Sequence, residues 1–134
     1  MPNLKTVEGI GPRYAAQLAT AGVTTTQGLL EAGASPKGRK DLAAKSGLSE
    51  KLILEWVNHC DLFRIKGVGG EYADLLEASG VDTIVELATR RADNLCAKMV
   101  QVNAAKKLVR KLPTENQVAG WVQQAKGLPR VVKY

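Results

Sequence analysis

Aromatic side chains are scarce in this chain of 134 residues: two Trp, three Tyr and one Phe. So few rings leave no platform on which successive bases could stack, which argues against recognition of single strands. There is one histidine, His59, and there are two cysteines, Cys60 and Cys96. His59 stands beside Cys60 with no carboxylate or second ligand at metal spacing, so it reads as a surface or helix-end residue and no metal site is expected. The isolated cysteines read as reduced thiols in apolar surroundings. No run is apolar enough to cross a bilayer, so no membrane partner is expected. Met1-Pro2-Asn3-Leu4-Lys5 lacks the apolar core of a signal peptide, and a cytoplasmic location is expected. No segment alternates over strand length with β-branched residues, so strands are not expected either. We find no nucleophile–base pair, carboxylate dyad or metal cluster, which points away from an enzyme and away from any cofactor.

Positive charge is plentiful. Lys and Arg number 19 against 13 Asp and Glu, a formal charge of +6. That balance favours an anionic partner, whether nucleic acid or an acidic protein face. An apolar share of 45% is enough for a folded core without disulfide or metal support.

The chain also repeats itself. "VEGIGPRYAAQLATAGVTTTQGLL" lies over "IKGVGGEYADLLEASGVDTIVELA" without a gap. Gly9 falls on Gly67, Gly11 on Gly69, Tyr14 on Tyr72, Leu18 on Leu76, Gly22 on Gly80 and Leu29 on Leu87. After a change of spacing, "SEKLILEWVNHCDLFRI" resembles "TENQVAGWVQQAKGLPRV", with Trp56 on Trp121. The chain therefore reads as one unit used twice, residues 1–62 and 63–134, packed as a single domain. Its last residues look like the start of a third hairpin that does not form.

Local signals are helical throughout. Pro12 suits a first helical position and Gly22 an αL position past a helix end. Ser35-Pro36 opens a helix that Gly47 closes, and Ser49 with Glu50 opens the Trp56 helix. Asp82 is placed as the cap of a short helix. Asn103 is placed as the start of a helix that Pro113 stops, and Thr114 as the cap of the last one. Trp56, Trp121, Tyr14 and Tyr72 are expected in the core. The helix at about 115–126 is expected to fold back on the first hairpin and complete it.

A glycine–aliphatic–glycine turn directly before a helix reverses the chain tightly and buries its central residue, Ile10 or Val68. It also leaves N–H groups of the turn and the helix start facing outward, where an anion is favoured. This pattern resembles the helix-hairpin-helix motif, and two copies resemble the paired helix-hairpin-helix domain. The resemblance implies an all-α fold of two tandem helix-hairpin-helix repeats in one compact pseudo-twofold domain. It implies that hairpin backbone and a nearby basic residue hold the phosphates of double-stranded DNA without reading sequence. By position, those residues are Gly9, Ile10, Gly11 and Arg13, with Lys66, Gly67, Val68, Gly69 and Gly70. The two turns differ: Pro12-Arg13 puts a cation beside the first, while Glu71 would repel a phosphate at the second, with Lys66 in partial compensation. The first hairpin is therefore the better expected phosphate site. The series "VEGIGPRYAAQL", "SPKGRKDLAAKSGLSEKLILEWVNHCDL" and "RIKGVGGEYADLLEASGVDT" further resembles the bacterial family named domain of unknown function 4332, which implies a fold but no established activity.

Two basic clusters extend the expected surface. Lys37, Arg39 and Lys40 lie in the first turn of a helix, with Lys45 further on. Lys106, Lys107, Arg110 and Lys111 are read as sharing helix faces at four-residue spacing above a stripe of Leu108 and Leu112. "DLAAKSGLSEKLILEWV" resembles a helix-turn-helix, but Glu50, Lys51, Glu55 and Asn58 make a poor surface for a DNA groove. "KGVGGEY" is neither a phosphate loop of nucleotide-binding folds nor a dinucleotide fingerprint, because no strand precedes it and Tyr72 stands where the last glycine belongs. Two readings stand: a non-enzymatic module that grips nucleic-acid backbone without sequence preference, and a protein-interaction scaffold whose basic faces meet an acidic partner.

Overall fold

A computed structural model describes residues 3–134. Among these the fold is all-helical, with eight α-helices: α1 Pro12–Thr20, α2 Thr26–Ala32, α3 Pro36–Ser46, α4 Glu50–Leu62, α5 Gly70–Ala78, α6 Ile84–Ala88, α7 Ala92–Lys106 and α8 Glu115–Lys126. Among the described residues the only strand-like feature is one isolated antiparallel bridge, Asn3 to Thr25. None of these helices is long and apolar enough to cross a membrane.

The chain forms two units, residues 1–61 with 131–134, and residues 62–130. The last four residues thus join the first unit without regular secondary structure, and Val132 is buried there.

In the first unit α1 ends in a Schellman turn. Val23 N–H reaches Leu18 O and Gly22 N–H reaches Ala19 O, both at 3.0 Å, with Gly22 at φ +85°. Thr25, Ser35 and Ser49 each accept a backbone N–H from the first turn of the helix that follows. Helix α3 packs on α1 and α2, and Gly47 closes it in the αL conformation. Leu4, Val7, Leu18, Leu29, Ile53 and Val57 are at most 2% exposed and form the buried side of this unit.

The second unit ends α5 in the same way. Val81 N–H reaches Leu76 O at 2.9 Å and Gly80 N–H reaches Glu77 O at 3.0 Å. Helix α8 packs on α6 and α7. The core gathers Leu62, Ile65, Leu75, Leu76, Ile84, Leu87, Met99 and Trp121. Thr114 and Gln117 close a full capping box at the start of α8.

Three local expectations are corrected. Thr83, not Asp82, caps α6, because its side chain is the one that accepts Glu86 N–H. Asn103 does not open a helix. It lies in the last turn of α7, and its amide both donates to Val109 O (3.2 Å) and accepts Val109 N–H (3.0 Å). That pair of hydrogen bonds ties down the segment after the helix, which leaves through Lys107 in αL at φ +51°. Pro113 then disfavours helical backbone at Leu112. The basic run from 107 to 111 is therefore not helical, Lys106 and Arg110 share no helix face, and Val109 is the buried residue where Leu108 and Leu112 are half-buried. The third correction concerns α8. It does not complete the first hairpin: it packs within its own unit, with Trp121 against Tyr72.

Candidate nucleic-acid interface

The first glycine turn is built from the inside out. Leu4, Val7 and Ile10 are buried at three-residue spacing, and Val7 N–H to Leu4 O (3.0 Å) and Ile10 N–H to Val7 O (3.1 Å) wind the chain tightly around them. Gly9 takes φ +93°, in the left-handed region that only glycine enters without strain. A Cβ there would stand 3.7 Å from Trp56 Nε1. Trp56, on α4, stacks on Tyr14 with centroids 5.2 Å apart and planes tilted by 54°. The helix that completes this turn is therefore α4.

The second turn repeats these contacts. Ile65 N–H meets Leu62 O at 3.1 Å and Val68 N–H meets Ile65 O at 3.2 Å, with Ile65 and Val68 buried. Gly67 takes φ +96°, and a Cβ there would press Trp121 Nε1 at 3.2 Å. Trp121 and Tyr72 lie 5.2 Å apart at 53°. Gln124 adds a clamp, accepting Lys66 N–H at 2.9 Å and donating to Lys66 O at 3.2 Å. The aromatic pairs are packing elements, and in each unit they brace the turn from below.

The second glycine of each turn has a different character. Gly11 (φ −90°, ψ −174°) and Gly69 (φ −103°, ψ −168°) have extended backbone that any residue adopts. A Cβ on either meets nothing within 4 Å. Each is the N-cap of its helix and supplies no side-chain cap, whereas Thr25, Ser35, Thr83 and Thr114 do so elsewhere. No N-cap side chain therefore accepts the first-turn N–H groups of α1 and α5, and the helix dipole favours an anion there.

Charge is placed differently at the two turns. Arg13 is exposed on the first turn of α1. The second turn borders an open cavity of about 500 Å³. Gly67, Gly69 and Gly70 line it together with Arg110 and Lys111, and Glu71 lines it as well. Tyr72 Oη donates to Lys111 O at 2.9 Å, which holds the 108–111 segment at this place. Two cations from the far end of the unit thus accompany the second turn, which sequence neighbours alone would leave to Lys66 and Glu71. Lys106 and Lys107 are exposed at the end of α7 and are not among the residues lining this cavity.

The other basic cluster splits. Lys37, Lys40 and Lys45 are exposed, but Arg39 is only 6% exposed. Its guanidinium donates to Gly33 O (2.8 Å), Ala34 O (3.3 Å) and Lys133 O (2.7 Å). Arg39 thus holds the end of α2 and the C-terminal segment, and it is withdrawn from the anion-binding set. His59 is likewise buried, at 5% exposure, rather than on the surface. Asn58 is buried too and accepts Tyr134 Oη–H at 3.1 Å, which removes it from the supposed recognition face. Burial, with a smaller push from Asp61, raises the Cys60 thiol to about 12. It is an inert core thiol at neutral pH. Among the described residues no group of three or more His, Cys, Asp or Glu could hold a metal ion.

A family model described as Domain of unknown function (DUF4332) matches residues 8–128, which takes in both turns and all eight helices. No curated protein and no solved structure matches the chain.

Proposed function

The chain belongs to the DUF4332 family, and we propose that it is a non-enzymatic helix-hairpin-helix module that grips the backbone of duplex DNA without reading its sequence. The observation that carries this reading is the pair of open helix starts. Gly11 and Gly69 are not required by their φ angles, leave space where a side chain would stand, and forgo the cap that serine or threonine supplies elsewhere in this chain. A residue that neither the turn nor the packing demands, at a helix start whose N–H groups no cap side chain accepts, suits the close approach of a phosphate. Arg13 adds a cation at the first turn, and Arg110 and Lys111 add two at the second. With few aromatics and no groove-reading helix face, the contacts this surface can make are to phosphates, which position a protein without specifying bases.

The test is a mobility shift of duplex DNA by the full chain across a salt series. The expected dissociation constant is about 1–100 μM, weakening steeply with salt by roughly 0.9 log units per log unit of salt for each phosphate neutralised. Arg13→Glu and Arg110→Glu each weaken binding, while Lys37→Gln changes it less. No shift at low salt, or unchanged binding by both charge reversals, would overturn the reading. The alternative, a scaffold that meets an acidic protein, would then take its place.

A further inference from the structure

The first unit holds residues 131–134 mainly through their backbone. Lys133 donates its N–H to Ala34 O at 2.7 Å, and its own carbonyl accepts Arg39 Nη2–H at 2.7 Å. The Lys133 side chain is exposed, so any residue with a main-chain N–H can make this pair of bonds. Its neighbours supply the selectivity. Val132 is buried in this unit, and Tyr134, though its ring is largely exposed, gives its hydroxyl to Asn58 Oδ1 at 3.1 Å. What is held is Val-x-Tyr without regular secondary structure.

The receiving side is fixed by bonds of its own. Arg39 Nη1 donates to Gly33 O (2.8 Å) and Ala34 O (3.3 Å), which sets the guanidinium plane and leaves Nη2 for Lys133 O. Asn58 is buried on α4. Gly33, at the end of α2, has no room for a Cβ, which would collide with Val57 Cγ2 of α4. The second unit builds the corresponding place differently. Arg39 stands four residues past the cap Ser35, and four past Arg91, the cap of α7, stands Leu95, also buried. A leucine needs no acceptor there, whereas a buried guanidinium does. The first unit thus leaves one arm of Arg39 to be met by the main chain of residues 131–134.

We propose that this cleft is a peptide-binding site for a Val-x-Tyr segment, closed in cis by residues 131–134 and open, by exchange, to the same segment of a second copy of this chain. The segment is lightly held: one buried side chain and three hydrogen bonds oppose the ordering of four residues. The second copy fits because it carries the segment that the cleft already holds. Every bond made in cis is made again in trans, and exchange alters only the connectivity. Main-chain bonds supply affinity and the flanking side chains supply selectivity, as in other modes of peptide recognition. The site uses none of the glycine-turn residues, so it goes beyond the DNA-backbone reading and can stand or fall separately.

The experiment uses the full chain with Val132→Asp, which cannot bury its own segment. It is isotope-labelled and titrated by NMR with an amidated peptide of residues 128–134. The amides of Ala34, Arg39 and Asn58 should move saturably, with a dissociation constant of about 0.1–1 mM, and the peptide should raise the melting temperature of the variant. A Lys133→Ala peptide should bind as well as the parent peptide. A Lys133→Pro peptide, without the N–H that Ala34 O accepts, and a Val132→Asp peptide should lose binding. The parent chain should take the peptide about tenfold more weakly, because its own segment competes at an effective concentration of about 1 mM. Unlabelled Arg39→Leu chain, which keeps the segment but lacks the clamp, should move the same amides in the labelled variant. Unlabelled parent chain should do so about tenfold less readily, and unlabelled Val132→Asp chain should not. If Val132→Asp does not fold, Lys133→Pro in the full chain opens the segment and leaves the receiving residues intact. No shift at millimolar peptide, equal binding of the Lys133→Pro peptide, or a response to peptide but to no second copy would each overturn the proposal. Arg13→Glu, which tests the DNA reading, should leave this titration unchanged.

Discussion

The two glycines of one turn should respond to substitution with opposite signs. Gly9 is at φ +93°, so a Cβ there forces an L-residue into strained backbone at a cost of about 1–2 kcal/mol. Packing adds little, because the nearest atom to that Cβ, Trp56 Nε1, stands at an ordinary 3.7 Å. Gly11 sits at φ −90°, ψ −174°, an N-cap conformation open to any residue, with nothing within 4 Å of its Cβ. Serine at that place can accept a first-turn N–H, as Ser35 does for Gly38, and it has less freedom to lose on folding. Together these stabilise by about 0.5–1 kcal/mol. At the unfolding entropy typical of a chain this size, Gly9→Ala should lower Tm by about 4–7 °C and Gly11→Ser should raise it by about 2–4 °C. The more stable variant should bind DNA less well, because its hydroxyl occupies the N–H groups that a phosphate would take. Circular dichroism melts and the mobility shift measure the two effects on the same samples. If Gly11→Ser melts higher and binds DNA undiminished, the uncapped N–H groups are not the contact and the argument from the open helix start is wrong. A loss of stability in both variants would show that Gly11 has a structural duty its geometry does not reveal.

Further outcomes test the roles of Arg39 and Cys60. Arg39→Ala removes the donor to three backbone carbonyls in buried or half-buried surroundings and should destabilise by about 2–4 kcal/mol in urea denaturation, whereas Lys37→Ala and Lys40→Ala should stay within about 0.5 kcal/mol. Arg39→Lys should recover little, since one ammonium cannot span the carbonyls of Gly33 and Lys133 together. Cys60 holds its proton more tightly in the folded chain than in the unfolded one, so its contribution is fully present below the ordinary thiol range and is lost as pH climbs from about 9 toward about 12. At pH 8 a thiol reagent should modify the half-buried Cys96 while Cys60 reacts only on unfolding. Rapid modification of Cys60 in the native protein would contradict its burial.

Some features were readable because they are local. Pro12, Gly22, Gly47, Ser35 and Thr114 act through their own backbone or a neighbour three or four residues away, and each does what its residue type dictates. Others depend on distant chain. Residue type does not distinguish Arg39 from Lys37 or Lys40: only the fold brings the carbonyls of Gly33 and Ala34 and, 94 residues on, of Lys133 to its guanidinium. Asn103 looked like a helix start because asparagine favours caps, yet its amide serves a loop beyond the helix end. For α8 the order of the repeat points to the wrong turn. The tryptophan helix follows its hairpin in the chain and returns to it, so α4 braces the first turn and α8 the second.

The same distinction decides how the two turns compare as anion sites. Judged by sequence neighbours, the second is the poorer, since Glu71 stands where the first has Arg13. An acidic residue in a first helical turn complements the dipole and screens the N–H groups from a phosphate. Folding changes that balance. Tyr72 reaches 39 residues along the chain to Lys111 O, and the held segment brings Arg110 and Lys111 to the cavity that Gly67 and Gly69 line. Two cations against one carboxylate leave a net positive wall, as Arg13 does at the first turn. Tyr14 carries the same hydroxyl, so what differs is the segment that Tyr72 holds: Tyr72→Phe keeps the ring on Trp121 and removes the tie to Lys111, while Asn103 still holds Val109. The variant should spare the fold and weaken any contact made through the second turn, while one made through Arg13 should persist.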